Sequence, residues 1–208
     1  MKFTIPKIYP ITDTRISGLS HTEQAQRLVA GGAKIIQLRE KHAPPLDWLD
    51  DALAVAQLCR ESGVSLIVND RVDIAIAIGA DGIHLGQNDL PPAAARNLLK
   101  DGAIIGFSTH TLEQVRSAVE LSIDYIAFGP VFPTLTKADP DAVVGLKMLK
   151  QVRAIARNLP LVAIGGIDLD NALSVFNSGA DSVAMIGSLL SDPAKISSRF
   201  RELNNLLK

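Results

Sequence analysis

The chain has almost no cysteine, very few aromatics and no excess of charge of either sign. A single cysteine, Cys59, excludes an internal disulfide and a cysteine-rich metal centre. Its setting, Ala54-Val55-Ala56-Gln57-Leu58-Cys59-Arg60, reads as a helix, so the thiol is expected as a small core residue rather than a nucleophile. A formal net charge of −1 removes the overall basic footprint of a nucleic-acid or membrane-surface binder. No apolar run is long enough for a signal peptide or a membrane span, which makes a cytoplasmic location the expectation. Aromatics are 4% of 208 residues while hydrophobic residues are 47%, so the core must be aliphatic, as parallel sheets and their covering helices require.

What is present is a regular alternation. Short apolar runs near 8–11, 34–38, 65–68, 82–84, 103–107, 125–128, 161–164 and 182–186 read as strands. After each comes a helical pattern, near 22–30, 46–61, 71–78, 92–99, 112–121, 145–156, 169–178 and 193–206. Strand-then-helix repeats imply parallel pairing through right-handed crossovers. Eight units fit an α/β fold made of a single (β/α)8 TIM barrel spanning 1–208, with an open doubly wound sheet as the alternative. No linker or low-complexity stretch divides the chain. Glycine turns such as Gly79-Ala80-Asp81 and Gly179-Ala180-Asp181 end helices and look chemically plain. The loops after the strands carry the unusual residues, on the face where such barrels build active sites.

In Ile36-Gln37-Leu38-Arg39-Glu40-Lys41, strand alternation puts Gln37, Arg39 and Lys41 on one side and Leu38 and Glu40 on the other. Two cations and an amide at a strand end suit a phosphorylated, nitrogen-rich ligand. Thr12 and Asp13 end the first strand, Asn69-Asp70-Arg71 the third, and Ser108-Thr109-His110 the fifth. Gly165-Gly166 and Gly187-Ser188 follow strands seven and eight, the usual phosphate position of such barrels, although a tight turn alone would also need glycine. Asp70 and Asp89 come from different strand ends and suit magnesium, or they cap the helices that follow. The segment 129–144 is long for such a loop. Its Thr134, Thr136 and Lys137 suggest an anion-gripping lid, against a plain solvent loop. His84 could bond a heterocycle at the barrel mouth or sit in the core, His110 could act in proton transfer or anion binding, and His21 and His42 read as surface residues.

With these residues assembled, the sequence resembles the thiamine phosphate synthase family over nearly its whole length. The carrying segments are Tyr9-Pro10-Ile11-Thr12-Asp13, QLREK at 37–41, VNDRVDIA at 68–75 and DGIHLGQNDLP at 81–91. They continue with GFSTH at 106–110, DYIAFGPVFPTLTK at 124–137 and VAIGGI at 162–167. The resemblance implies a TIM barrel that joins a pyrimidine diphosphate to a thiazole phosphate, with small-molecule substrates and neither nucleic acid nor membrane as partner. It implies Mg2+ (magnesium) on Asp70 and Asp89. Arg39, Lys41, Asn69, Ser108 and Lys137 would grip the diphosphate, with Arg39, Lys41, Ser108 and Lys137 as the catalytic set. Gln37 and His84 would bond the pyrimidine edge. Thr134, Thr136 and Gly166 would bind the thiazole phosphate, joined by Gly187 and Ser188. Glu40, on the opposite strand face, is expected to pair with a neighbouring basic group. Homo-oligomerisation is an expectation of the resemblance alone.

One position departs from the family pattern: Gly187 stands where a serine is common, with Ser188 following, so a backbone contact survives there and a hydroxyl contact needs Ser188. The nearest rival is a thiazole tautomerase, for which His110 would be the acid/base group. A non-catalytic thiamine-phosphate binding protein on the same scaffold is more distant. The full set of Arg39, Lys41, Asn69, Asp70, Asp89 and Lys137 favours the synthase.

Overall fold

The computed structural model describes residues 3–134, 136 and 141–207. Eight strands form one sheet: β1 (Ile8–Pro10), β2 (Ile35–Leu38), β3 (Ser65–Asn69), β4 (Gly82–Leu85), β5 (Ile104–Thr109), β6 (Tyr125–Phe128), β7 (Leu161–Ile164) and β8 (Ser182–Met185). Their order is β1-β8-β7-β6-β5-β4-β3-β2, with every neighbouring pair parallel. The sheet closes between β1 and β2 through an isolated parallel bridge, Ile11 opposite Gln37, where Thr12 N donates to the Gln37 carbonyl at 2.9 Å. This is the closed barrel expected from the repeat.

Helices follow the strands: α1 (Thr14–Ser17), α2 (His21–Gly31), α3 (Pro45–Ser62), α4 (Val72–Ala77), α5 (Pro92–Leu98), α6 (Leu112–Ala118), α7 (Gly145–Ala156), α8 (Ala172–Phe176), α9 (Gly187–Leu190) and α10 (Ile196–Leu206). The short α1 and α9 lie inside strand-to-helix connections that the sequence pattern left undivided. Helix α8 begins six residues after Gly166, later than the pattern near 169–178, so no helix opens at the Gly165-Gly166 pair.

Strand alternation sorts the core into two layers. Outward residues such as Ile36, Leu66, Ile83, Ile105, Ile126 and Val183 pack under the helices. Inward residues, among them Tyr9, Ile35, Ile67, Tyr125, Val162 and Ala184, fill the barrel. Ile35 and Ile67 are fully buried, and each such side chain contributes about 1.5–3 kcal/mol through area removed from water. Cys59 belongs to the outer layer, where burial pushes its thiol up to about 12, in keeping with an inert core residue.

The glycine turns at the strand N-termini are not chemically plain. Gly79-Ala80-Asp81 and Gly179-Ala180-Asp181 each end in an aspartate that staples the neighbouring strand, and the glycine-free turn before β6 supplies a third: Asp81 Oδ2 accepts from Leu66 N at 2.9 Å, Asp124 Oδ2 from Ile105 N at 2.8 Å, and Asp181 Oδ2 from Leu161 N at 2.8 Å. Arg96 and Arg153 neutralise Asp124 and Asp181 at 2.8 and 2.7 Å, and Lys100 lies 3.6 Å from Asp81.

Candidate active site

The strand C-termini surround a cavity of about 960 Å³. Of the residues expected to form a site, Gln37, Arg39, Lys41, Asn69, Asp70, His84, Asp89, Ser108, Thr134, Thr136, Gly166, Gly187 and Ser188 all line it. Lys137 lies outside the described residues. Because β3 and β4 stand four strands from β7 and β8, the two groups of polar residues face each other across the barrel mouth.

On the β2–β4 side the alternation read from QLREK holds. Gln37 and Ile35 point inward, while Leu38 joins the outer layer. Glu40 lies on the other side of the chain. It accepts from His42 N at 2.7 Å and Ala43 N at 3.1 Å, and it sits 3.5 Å from His21 Nε2. His21 is therefore not a surface residue: it is 1% exposed, bonded to Thr12 through Nδ1 at 2.9 Å. Its ring is buried because Asp51 of α3 accepts from His21 N at 2.7 Å and Thr22 N at 3.0 Å, pinning the start of α2 against α3. Burial lowers the His21 pKa, opposed by Asp51, Glu40 and Asp13.

Both cations on this side are already paired. Arg39 binds Asp13, itself only 8% exposed, and Lys41 binds Asp70. Asp70 is held at φ 60, a left-handed conformation uncommon outside glycine, at the turn leaving β3. Neither Asp70 nor Asp89 caps a helix. The residues preceding α4 and α5 are Arg71 and Pro91, neither with a side-chain cap, whereas Asp89 Oδ2 accepts from Gly86 N at 2.7 Å. Burial pushes the Asp89 carboxyl up; the Gly86 N–H works the other way, and the adjacent Asp70 carboxylate adds to the rise. Two hard carboxylates pressed together in this way have the donor chemistry for a magnesium ion. No group of three or more His, Cys, Asp or Glu ligands occurs among the described residues, so the other positions of such an ion would be left to phosphate oxygens and water.

On the β6–β8 side the contacts come from hydroxyls and backbone. Gly165 and Gly166 have φ 101 and 62, and a Cβ at Gly166 would stand 2.4 Å from the Pro133 carbonyl oxygen. The pair thus serves both the turn and the close approach of the loop after β6. Thr134 and Thr136 bring their hydroxyls to 3.3 Å of one another, and the space beside Gly187 opens onto the Thr136 hydroxyl, 3.7 Å from where a Cβ would be. Gly187 and Ser188 open α9, whose first N–H groups have no partner within the helix.

The cavity floor contains residues to which the sequence reading gave no role. The chain's only two tyrosines, Tyr9 and Tyr125, meet with their hydroxyl oxygens 2.7 Å apart. Tyr9 accepts from Gln37 Nε2 at 3.2 Å. His84 engages Tyr125 through Nδ1 at 2.9 Å and Ser108 through Nε2 at 2.8 Å, with its ring stacked on Tyr125. His84 thus lines the cavity with Tyr125 at one ring nitrogen and Ser108 at the other. Their inward strand positions were the available signal for the tyrosines. His110, at the edge of the cavity, binds the Gly129 carbonyl through Nδ1 at 2.7 Å.

Known proteins match this arrangement along most of the chain. Residues 8–189 fit the sequence model of the family described as thiamine monophosphate synthase. The chain is 42% identical over 185 residues to the thiamine-phosphate synthase of Chloroflexus aurantiacus, covering 88% of this chain and 85% of that protein. It is 45% identical over 185 residues to that of Methanocella arvoryzae, with 88% and 87% covered. The solved thiamine phosphate pyrophosphorylase of Pyrococcus furiosus is 35% identical, with a TM-score of 0.86 over 97% of this chain and 95% of that one. A match that runs from β1 into α9 takes in every strand of the barrel and both polar groups at its mouth, and the chain belongs to the thiamine monophosphate synthase family.

Proposed function

We propose that the chain is a thiamine phosphate synthase, joining 4-amino-2-methyl-5-(diphosphooxymethyl)pyrimidine to 4-methyl-5-(2-phosphooxyethyl)thiazole. The observation that carries this reading is the division of the cavity mouth into two polar ends, one charged and one built from hydroxyls and backbone. Two phosphorylated substrates that must meet ring to ring between those ends fit such a layout.

In the reaction the methylene C–O bond to diphosphate breaks and its electron pair leaves with the diphosphate. The electron-rich aminopyrimidine stabilises the carbocation left on the methylene. The thiazole nitrogen then donates its lone pair to that carbon, forming the C–N bond of thiamine phosphate. Catalysis is chiefly charge stabilisation on the leaving group and alignment of the two rings. Arg39, Lys41, Asn69 and Ser108 bind the diphosphate, and Lys137 joins them. Thr134, Thr136 and the amides near Gly166, Gly187 and Ser188 hold the thiazole phosphate. Asp70 and Asp89 hold magnesium, which when bound supplies Lewis-acid stabilisation to the departing diphosphate. Family membership and the paired carboxylates support this assignment.

The test is thiamine phosphate formation by purified protein from both heterocycles and magnesium, with and without chelator. Chelator-sensitive product is expected. Folded protein that forms no product would sink the reading.

A further inference from the structure

Five side chains, four lining the cavity and Tyr125 buried beneath them, form one continuous hydrogen-bonded row: Gln37, Tyr9, Tyr125, His84 and Ser108. The first four are buried, at 3%, 1%, 0% and 7% exposure, so their polar atoms depend on one another rather than on water. The row draws one residue from each of five strands, β1, β2, β4, β5 and β6. His84 of β4 and Tyr125 of β6 are both in register with Gly106 of β5. A Cβ at Gly106 would stand 2.0 Å from Tyr125 Cζ and 2.3 Å from its hydroxyl, so glycine there is what lets the phenol reach His84.

The row has a direction. A phenol has one proton to give. Tyr9 receives the Gln37 amide N–H; if Tyr125 donated to it as well, the buried Tyr9 proton would have no acceptor in the row, so Tyr9 donates to Tyr125. Tyr125 in turn gives its proton to His84 Nδ1. A neutral imidazole that accepts at Nδ1 carries its proton on Nε2. That N–H is donated to Ser108 Oγ, and the serine proton must then point away from His84. Ser108 lines the cavity, so that proton is available to a ligand there.

We propose that Tyr9 and Tyr125 are positioning residues that lock His84 in its Nε2–H tautomer and thereby present the Ser108 hydroxyl to the diphosphate as a hydrogen-bond donor. The idea rests on the synthase reading for its ligand, but not for the tautomer. Burial raises both phenol pKa values well above the ordinary range, which keeps each hydroxyl protonated and able to donate. The opposite polarity, with the Gln37 carbonyl accepting from Tyr9, would turn Ser108 into a donor to His84 and present the phosphate with a lone pair.

The first experiment is nitrogen NMR of full-length protein labelled with 15N-histidine, with His84 assigned by its loss in His84→Gln. A protonated Nε2 and a bare Nδ1 are expected; a protonated Nδ1 overturns the proposal. Gln37→Glu, whose side chain can only accept once ionised, should reverse the row at high pH and move the proton to Nδ1. In Tyr125→Phe the Nε2–H preference should be lost. Its kcat should fall about tenfold, short of the roughly 10²–10³ typical for removing a donor outright, with both KM values little changed. That drop should vanish in a Ser108→Ala background, because both changes remove the same interaction. An undiminished kcat in Tyr125→Phe, or a loss that multiplies with that of Ser108→Ala, would overturn the positioning role. If wild-type protein showed the Nε2–H tautomer without synthase turnover, the functional reading would fail and the tautomer assignment would stand.

Discussion

The two faces of the barrel use the same side chain for opposite ends. At the strand N-termini, Asp81, Asp124 and Asp181 each accept from a neighbouring strand N–H and lie beside an arginine or lysine. At the strand C-termini, Asp70 and Asp89 are crowded together, one in a left-handed backbone and the other with its carboxyl pushed up. The first arrangement satisfies each charge, which makes it a stabilising device. In the second, Lys41 pairs with Asp70 while Asp89 is pressed beside it, and under the proposed assignment a magnesium ion would join the two carboxylates. Under that assignment, stability and function are separated by about the length of a strand.

The comparison breaks most sharply on the carboxylate pair. Asp70→Asn or Asp89→Asn is expected to cut turnover about 10³-fold, of the size seen when electrostatic stabilisation of a leaving charge is lost, while leaving thermal stability unchanged or raised. Near-normal magnesium-dependent turnover in both variants would dismiss the metal assignment. Melting curves give a second view without activity: magnesium with inorganic diphosphate should raise the Tm of the wild type and not that of Asp89→Asn, by the linkage of binding to folding. Equal shifts in the two would place the ion elsewhere.

On the other face, Asp181→Ala should cost about 1–3 kcal/mol in denaturant unfolding, because Leu161 N loses its acceptor, while kcat stays as it was. A smaller contrast lies within the phosphate end. Gly166→Ala forces an unfavourable left-handed φ and a contact with Pro133, so it should lose about 1–2 kcal/mol and raise the thiazole-phosphate KM. Gly187→Ala has room and should leave both nearly unchanged. Steady-state kinetics and unfolding on the pair would separate a required glycine from a permissive one.

The smallest effect concerns pH. The His21 pKa is lowered in the folded state, so folding favours its neutral form. The stability it contributes is present above its unfolded pKa of about 6.5 and is lost as pH falls through the lower folded value. His21→Gln should therefore flatten part of the acid limb of a Tm–pH curve; an unchanged limb would assign that slope to other groups.

What could be read from sequence was whatever is local. The two-residue period of QLREK placed Gln37 inside and Leu38 outside, and the alternation of strands and helices gave the barrel. What could not be read depends on partners distant in sequence. His21 is buried through Asp51, 30 residues on, Arg39 meets Asp13 across 26, and the tyrosines meet across 116. The aspartate staples were overlooked for the same reason: a turn residue shows its helix, but not the neighbouring strand whose N–H it receives. Helix α8 also starts later than its apolar pattern suggests, because Asp168 Oδ1 accepts from Asp170 N at 3.0 Å and Asn171 N at 3.1 Å, holding a turn ahead of it.

Gln37 has two duties that lie in different parts of the physics. Its backbone forms the bridge that closes the barrel between β1 and β2, a contact far shorter than the ladders between other strands, and its side chain begins the polar row of the cavity floor. Local opening in folded proteins concentrates where hydrogen-bonded pairing is sparse. The seam beside Gln37 is therefore where the cylinder should part most readily, with the Thr12 amide as its reporter in hydrogen exchange. Occupancy of the cavity and integrity of the cylinder meet in one residue, so a ligand that immobilises the Gln37 amide should also slow exchange along the seam.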